Sequence, residues 1–175
     1  ETGICIMKVV EKLDAGPILI QSKIKITSEM NSKDLSDKMS EEGAKLILDA
    51  FRLIENKKVN FVQQKELEVT YAKKIEKKES KINWNENATK VIAKINALNP
   101  FPGCWFELAG KRVKIIKAKE VINKGKPGIV LDKKLTIACL KNAVRILELQ
   151  KEGKKKMSAD EFLLGSQIKT GQSLN

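Results

Sequence analysis

The side chains in this sequence best equipped for chemistry are cations. Lys73 and Lys74 stand in a polar stretch. Lys111, Arg112, Lys114, Lys117 and Lys119 follow one another through strand-like sequence, and Lys154, Lys155 and Lys156 form an unbroken run ahead of a helix signal. Ammonium and guanidinium groups hold phosphate oxygens through charge-assisted hydrogen bonds, and three consecutive lysines cannot all pack inward. Strict period-two alternation would put Lys117 and Lys119 on the face opposite Arg112 and Lys114, unless a bulge shifts the register. Trp84, Trp105 and Phe106 could stack on flat ligands, but with aromatics at only 5% their expected use is core packing. Acid–base and metal chemistry are poorly provided for. The sequence contains no histidine, which excludes a Ser-His-Asp triad, a Cys-His pair and an HExxH zinc site within it. Cys5, Cys104 and Cys139 are odd in number, far apart and form no CxxC pair, so we expect free thiols in a reducing, cytoplasmic setting and no metal. The neighbouring carboxylates Glu41 and Glu42 read as a solvated helix surface.

The distribution of charge says more than its sum. The 175 residues carry a formal +12. Residues 1–70 hold 11 Lys/Arg against 12 Asp/Glu, whereas residues 71–175 hold 23 against 10. A compositional bias toward lysine would have raised both parts alike. A segment this basic repels itself, and its field suits a polyanion such as RNA, DNA or an anionic membrane surface. No window approaches the ~18–20 apolar residues of a membrane span, and no basic-then-apolar leader is visible. The sequence opens at Glu1-Thr2-Gly3 without an initiator Met and runs at once into Ile4-Cys5-Ile6-Met7. It is therefore expected to be a piece of a longer chain.

The elements that must position these groups can be read from periodicity. Apolar stretches at 3–10 and 17–26, separated by Asp14, Gly16 and Pro17, read as two strands. Asn31 or Ser32 can cap a helix running to about Lys57, with Asp34 in its first turn. Its stripe of Leu35, Met39, Leu46, Ile47, Ala50, Phe51 and Ile54 reads as core packing. Residues 59–69 read as an extended connector, and Lys73 to Lys81 as a basic linker. Asn85 or Asn87 can cap a second helix over about 88–98, which Asn99-Pro100-Phe101-Pro102-Gly103 ends sharply. Five short strand signals follow: 104–108, 113–117 across an Ala109-Gly110 turn, 129–131, 135–140 and 144–149. Ser158 with Glu161 reads as a capping box. The pattern predicts an α/β portion followed by a small, mainly β barrel with a preceding helix.

With those residues in view, the chain resembles the C-terminal portion of methionyl-tRNA formyltransferases. The similarity runs in order through Glu1-Thr2-Gly3-Ile4 to Met7, Leu13-Asp14-Ala15-Gly16-Pro17-Ile18-Leu19, Thr70-Tyr71-Ala72-Lys73-Lys74-Ile75, and Ile82-Asn83-Trp84. It continues through Asn99-Pro100-Phe101-Pro102-Gly103-Cys104-Trp105, Pro127-Gly128-Ile129, and Leu149-Gln150 to Gly153-Lys154-Lys155-Lys156-Met157.

The resemblance implies residues 1–58 as the end of a doubly wound formyltransferase domain, 59–81 as a basic linker, and 82–175 as an OB-like tRNA-binding barrel. It implies transfer of a formyl group from 10-formyltetrahydrofolate, without a metal, to the amino group of methionyl initiator tRNA. The family's catalytic Asn, His and Asp would precede Glu1, so no catalytic residue is expected here. Glu1, Thr2 and Gly3 would lie beside the active site. Lys73, Lys74, Lys111, Arg112, Lys114, Lys154, Lys155 and Lys156 would bind tRNA. A cytoplasmic monomer that does not engage a membrane is expected. Three positions depart from the family pattern: Asn83 stands where Asp is usual, Asn96 where a basic residue is common, and Cys104 where a small Ala is usual. Two alternatives remain at this point: a non-catalytic RNA-binding module, and a related folate-dependent formyltransferase acting on an amino sugar.

Overall fold

The structure, a computed structural model, describes residues 1–166 and 168–174. It divides into two compact units, Glu1–Lys74 and Ile75–Asn175.

In the first unit, β1 (Thr2–Met7) pairs antiparallel with β2 (Ile18–Ile24), and α1 (Ser32–Glu55) packs on the pair. Gly3 is required by proximity, because a Cβ there would stand 2.6 Å from the Ser22 carbonyl oxygen on the paired strand. Asn31 begins α1 as read from sequence. Its Oδ1 accepts from the amides of Lys33 and Asp34, and the Asp34 carboxylate accepts from the Asn31 amide. Such reciprocal capping satisfies donors that the first helical turn leaves open. The apolar stripe is only partly covered. Leu46 and Ala50 are buried, Leu35, Met39 and Ile47 are half-buried, and Phe51 and Ile54 are exposed. Two strands are too few to cover a helix of 24 residues, so the stripe is not wholly the core predicted for it. The 59–69 connector is anchored rather than loose. Val62 and Ile18 exchange both backbone hydrogen bonds, and Gln64 Nε2 donates to the carbonyls of Asp14 and Gly16.

In the second unit, α2 (Ala88–Leu98) turns Ala88, Val91, Ile95 and Leu98 into the core. Its N-cap is Asn87 without a side-chain bond; the Ala88 amide donates instead to the Lys141 carbonyl. Five antiparallel strands follow: β3 (Trp105–Leu108), β4 (Lys111–Val121), β5 (Thr136–Ala138), β6 (Ala143–Lys151) and β7 (Lys156–Ser158). They lie in the order β3-β4-β6-β5, with β7 also on β6. The result is a mixed α/β chain with antiparallel sheets; among the described residues no strand pairing joins β3 to β5. Ala109 (φ +49°) and Gly110 (φ +74°) make the two-residue turn between β3 and β4, both left-handed as a type I′ hairpin requires.

Two strand readings differ from the structure. Residues 129–131 make only single bridges, from Ile129 to Ser173 and from Val130 to Ile137. The turns on either side, at Pro127-Gly128 and at Asp132, leave too little chain for a strand. Conversely, Lys156–Ser158 forms a strand within what reads as a solvated lysine run, because β6 offers it a partner edge. A final segment closes the unit. Val130 exchanges hydrogen bonds with Gly171 and Gln172, Leu174 donates to the Gly128 carbonyl, and Trp84 Nε1 donates to the Leu174 carbonyl at 3.0 Å. The core holds Trp84, Phe106, Ile115, Ile146, Leu149 and Phe162, all at most 1% exposed. α3 (Ala159–Leu164) brings in Phe162 and is capped by the expected Ser158–Glu161 box.

Candidate nucleic-acid interface

The second unit carries 21 Lys/Arg against 10 Asp/Glu, so the positive excess lies within one compact body. The sheet decides where much of it points. Directly opposite residues in an antiparallel pair share a face. Trp105 opposes Lys114, Lys114 opposes Gln150, and Gln150 opposes Lys156. These four form one row across β3, β4, β6 and β7. Their neighbours Phe106, Val113 and Leu149 are buried on the other side, so the row lies on the outer face.

The rest of β4 joins that face through a double irregularity. Ile115 opposes Leu149, Lys117 opposes Glu148, and Ala118 opposes Ile146, so each strand carries one extra residue, Ile116 on β4 and Leu147 on β6. The overall register is preserved while inside and outside exchange. Beyond this point Ala118 packs against the core, and Lys117 and Lys119 are exposed outward. Lys117 and Lys119 therefore share a face with Arg112 and Lys114, where strict alternation would have separated them.

The row has internal structure. The Arg112 guanidinium carbon lies 4.4 Å from the Trp105 ring centroid, and Lys81 Nζ lies 5.8 Å from it. Lys114 Nζ donates to the Pro100 carbonyl at 2.6 Å, and its stem crosses Gly103 (φ +83°), where a Cβ would stand 1.8 Å from Lys114 Cε. Gln150 Nε2 donates to the Lys154 carbonyl at 2.7 Å, which ties the turn carrying Lys154 and Lys155 to the row. Between these groups lies an open cleft of about 280 Å³.

The expected binding residues are distributed unevenly. Arg112, Lys114 and Lys156 fall on the shared outer face, and Lys154 and Lys155 lie exposed in the turn beside it. Lys111 opposes Leu108 at the end of β4, out of step with the row, though exposed. Lys73 and Lys74 are exposed at the end of the first unit, and Glu1, Thr2 and Gly3 begin β1 in that unit. Of the three aromatics, Trp84 and Phe106 are core as expected, while Trp105 is only half-buried. The sequence reading missed Gln150 and Lys81, since only strand register reveals the first and only the Lys81–Trp105 bridge the second.

The thiols and carboxylates have structural roles. Burial pushes the Cys104 and Cys139 thiols up to about 11, leaving them protonated at neutral pH. Burial would also raise the Asp132 carboxyl. Hydrogen bonds from the Lys134 amide, the Thr136 hydroxyl and the Thr136 amide, with Arg145 beside it, outweigh burial and hold it below its ordinary range. Among the described residues no His/Cys/Asp/Glu group could hold a metal ion, and no helix is long and apolar enough to cross a membrane.

Residues 1–51 match the formyl transferase family and residues 74–167 match its formyl transferase C-terminal domain. The chain belongs to the formyl transferase family. Among the relatives of this formyl transferase chain is the methionyl-tRNA formyltransferase of Bradyrhizobium diazoefficiens, 42% identical over 98% of this chain and 56% of that protein. Another is the methionyl-tRNA formyltransferase of Pelagibacter ubique, 41% identical over 99% of this chain and 56% of that protein. The chain thus spans little more than half the length of the curated relatives it matches. In fold it is similar to HypX from Aquifex aeolicus, with a TM-score of 0.70 at 23% identity over 93% of this chain and 30% of that one. It is also similar to the sugar 3N-formyl transferase WlaRD, with a TM-score of 0.63 at 19% identity over 87% of this chain and 56% of that one.

Proposed function

We propose that this chain is the C-terminal part of a methionyl-tRNA formyltransferase, and that its contribution is to bind and position the tRNA. The observation that carries this is the outer face of β4. Arg112, Lys114, Lys117 and Lys119 share one side of a strand in a unit with a large positive excess. Its fit is to a phosphate backbone, whose contacts position a nucleic acid without reading its sequence. The close relatives named for methionyl-tRNA support tRNA as the polyanion.

In this reading residues 1–58 complete a doubly wound catalytic domain, 59–81 link it, and 82–175 form an OB-like barrel. Lys73, Lys74, Lys111, Arg112, Lys114, Lys154, Lys155 and Lys156 hold the tRNA, and Glu1, Thr2 and Gly3 border the active site. The reaction is attack of the methionyl amine on the formyl carbon of 10-formyltetrahydrofolate. It needs a base for the amine proton and fixed donors for the oxyanion. The Asn, His and Asp that would do this are assigned to sequence upstream of Glu1. The groove on the first unit does not fit the donor either. The groove between β1 and α1 is lined by Ile4, Leu35, Met39 and three serines, with no cation for the folate carboxylates. We take the protein to act as a cytoplasmic monomer.

The test has two arms. The 175-residue chain titrated with methionyl initiator tRNA should bind it, with affinity falling steeply as salt rises, and should not formylate it. A chain extended upstream in the same reading frame should formylate methionyl-tRNA and leave nucleotide-linked amino sugars untouched. A salt-independent or absent tRNA affinity, or formylation of the sugar in preference, overturns the assignment.

A further inference from the structure

A phosphate-binding surface needs cations. It does not need a half-buried aromatic ring set among them. Trp105 is the half-buried one of the two tryptophans, and it carries a guanidinium on its ring. On the adjoining turn Phe101 is 80% exposed. Lys114, directly opposite Trp105, spends one donor on the Pro100 carbonyl and keeps two for another acceptor. Gln150, next in the row, adds an amide able to donate and accept. The cleft beside them is lined by the Trp105–Arg112 pair, by the cations Lys114 and Lys151, by the neutral Gln150 and by one carboxylate, Glu152.

We propose that this cleft is a stacking platform for an unpaired nucleotide of the bound RNA. Its base lies against the Trp105–Arg112 pair and its phosphate is held by Lys114. The inference rests on the RNA-binding reading above and goes further, to which part of the RNA this face takes. Bases in an A-form duplex are stacked and shielded, so a duplex can offer this surface only its backbone. A loop, bulge or end can offer the face of a base. Stacking on aromatic rings and on guanidinium planes tolerates any base, so the platform selects for strandedness more than for sequence. An acidic peptide would be drawn to the same cations but would leave the aromatic plane unused.

The experiment uses the whole 175-residue chain with two probes, a short single-stranded oligouridylate and a blunt RNA duplex of equal phosphate count. Trp84 is 1% exposed, so a change in tryptophan emission on binding reports on Trp105. We expect the oligouridylate to quench emission and the duplex to leave it nearly unchanged. Trp105→Ala should weaken oligouridylate binding about tenfold and duplex binding by less than twofold, and Trp105→Phe should restore most of the loss. Arg112→Gln tests the guanidinium without touching the ring and should weaken the oligouridylate more than the duplex. If Trp105→Ala unfolds the chain, the wild-type quench and the Arg112→Gln pair still decide.

Equal affinity for both probes with no quench overturns the platform while leaving RNA binding intact. Displacement of the oligouridylate by polyglutamate at matched charge overturns it in favour of an acidic polypeptide. Binding to neither RNA overturns both this proposal and the reading beneath it.

Discussion

Neutralising one face of the sheet should change RNA binding in a way that neutralising an equal charge elsewhere does not. The perturbation is the triple change Lys117→Gln, Lys119→Gln and Lys156→Gln, all exposed and all on the outer face. Besides Arg145, which is paired with Asp132, the face and its attached turn present seven cations, Arg112, Lys114, Lys117, Lys119, Lys154, Lys155 and Lys156, with the carboxylates Glu107 and Glu148 among them. If each neutralises one phosphate, log K falls against log salt with a slope of about −5 to −6, at roughly 0.7–0.9 per phosphate. Removing three flattens that slope by about 2 to 3 and weakens binding on the order of 100-fold near 0.1 M salt.

Folding should hardly move. Exposed substitutions of this kind stay within about 0.5 kcal/mol, and loss of Lys119 removes a like charge directly opposite Arg145. The control is Lys124→Gln, Lys126→Gln and Lys133→Gln, which subtracts the same formal charge from exposed positions outside the strands. The assay is fluorescence anisotropy of labelled tRNA at several salt concentrations for wild type and both triples. Equal flattening by the two triples would mean that total charge, not the face, drives binding. That result refutes the reasoning.

Four further outcomes follow from the structure. Of the three thiols only Cys5 is exposed, so a thiol reagent on native protein should label one site quickly and reach Cys104 and Cys139 only on unfolding. Ala109 sits at φ +49°, so Ala109→Asn should raise stability by roughly 1 kcal/mol in urea titration. Leu174 is 2% exposed on the tail that receives the Trp84 hydrogen bond; Leu174→Ala should cost about 2–4 kcal/mol and lower the melting temperature. Asp132 has a lowered carboxyl value in the fold. Its contribution is therefore complete above the ordinary value of 3.8 and is lost as pH falls through its folded value. The stability gap between wild type and Asp132→Asn should accordingly be wide at pH 7 and narrow only as pH falls below 3.8.

Much of this fold is legible along the chain because local chemistry determines it. The box at Asn31 and Asp34, the helix over Ala88–Leu98, the Ala109-Gly110 turn and the Ser158–Glu161 cap all depend on residues within a few positions of one another. What escapes is set by pairing at long range. Lys156–Ser158 becomes a strand because β6 lies beside it, and Ile129 fails to begin one because its partners, Ser173 and the 171–174 tail, supply single bridges only. The apolar stripe of α1 is readable as a stripe, but how much of it is covered depends on how many strands lie beneath it.

The candidate site divides along the same line. That the rear of the chain is cationic can be counted, and that its lysines lie on strands can be read from turns. Which side of the sheet they occupy cannot be obtained by extending a period of two. Arg112 and Lys114 would then face away from Lys117 and Lys119, and these four cations would be split between the outer surface and the core. One extra residue on each of β4 and β6, at Ile116 and Leu147, reverses the pleat without moving the register. Ala118 and Ile146 can then pack inward while the lysines on either side of Ala118 stay in water. Burying either lysine unpaired would cost several kcal/mol, so the paired bulges are what let one strand both close a core and present a continuous cationic face. The sharing of one face by Arg112, Lys114, Lys117 and Lys119 is thus fixed by two aliphatic residues, Ile116 and Leu147.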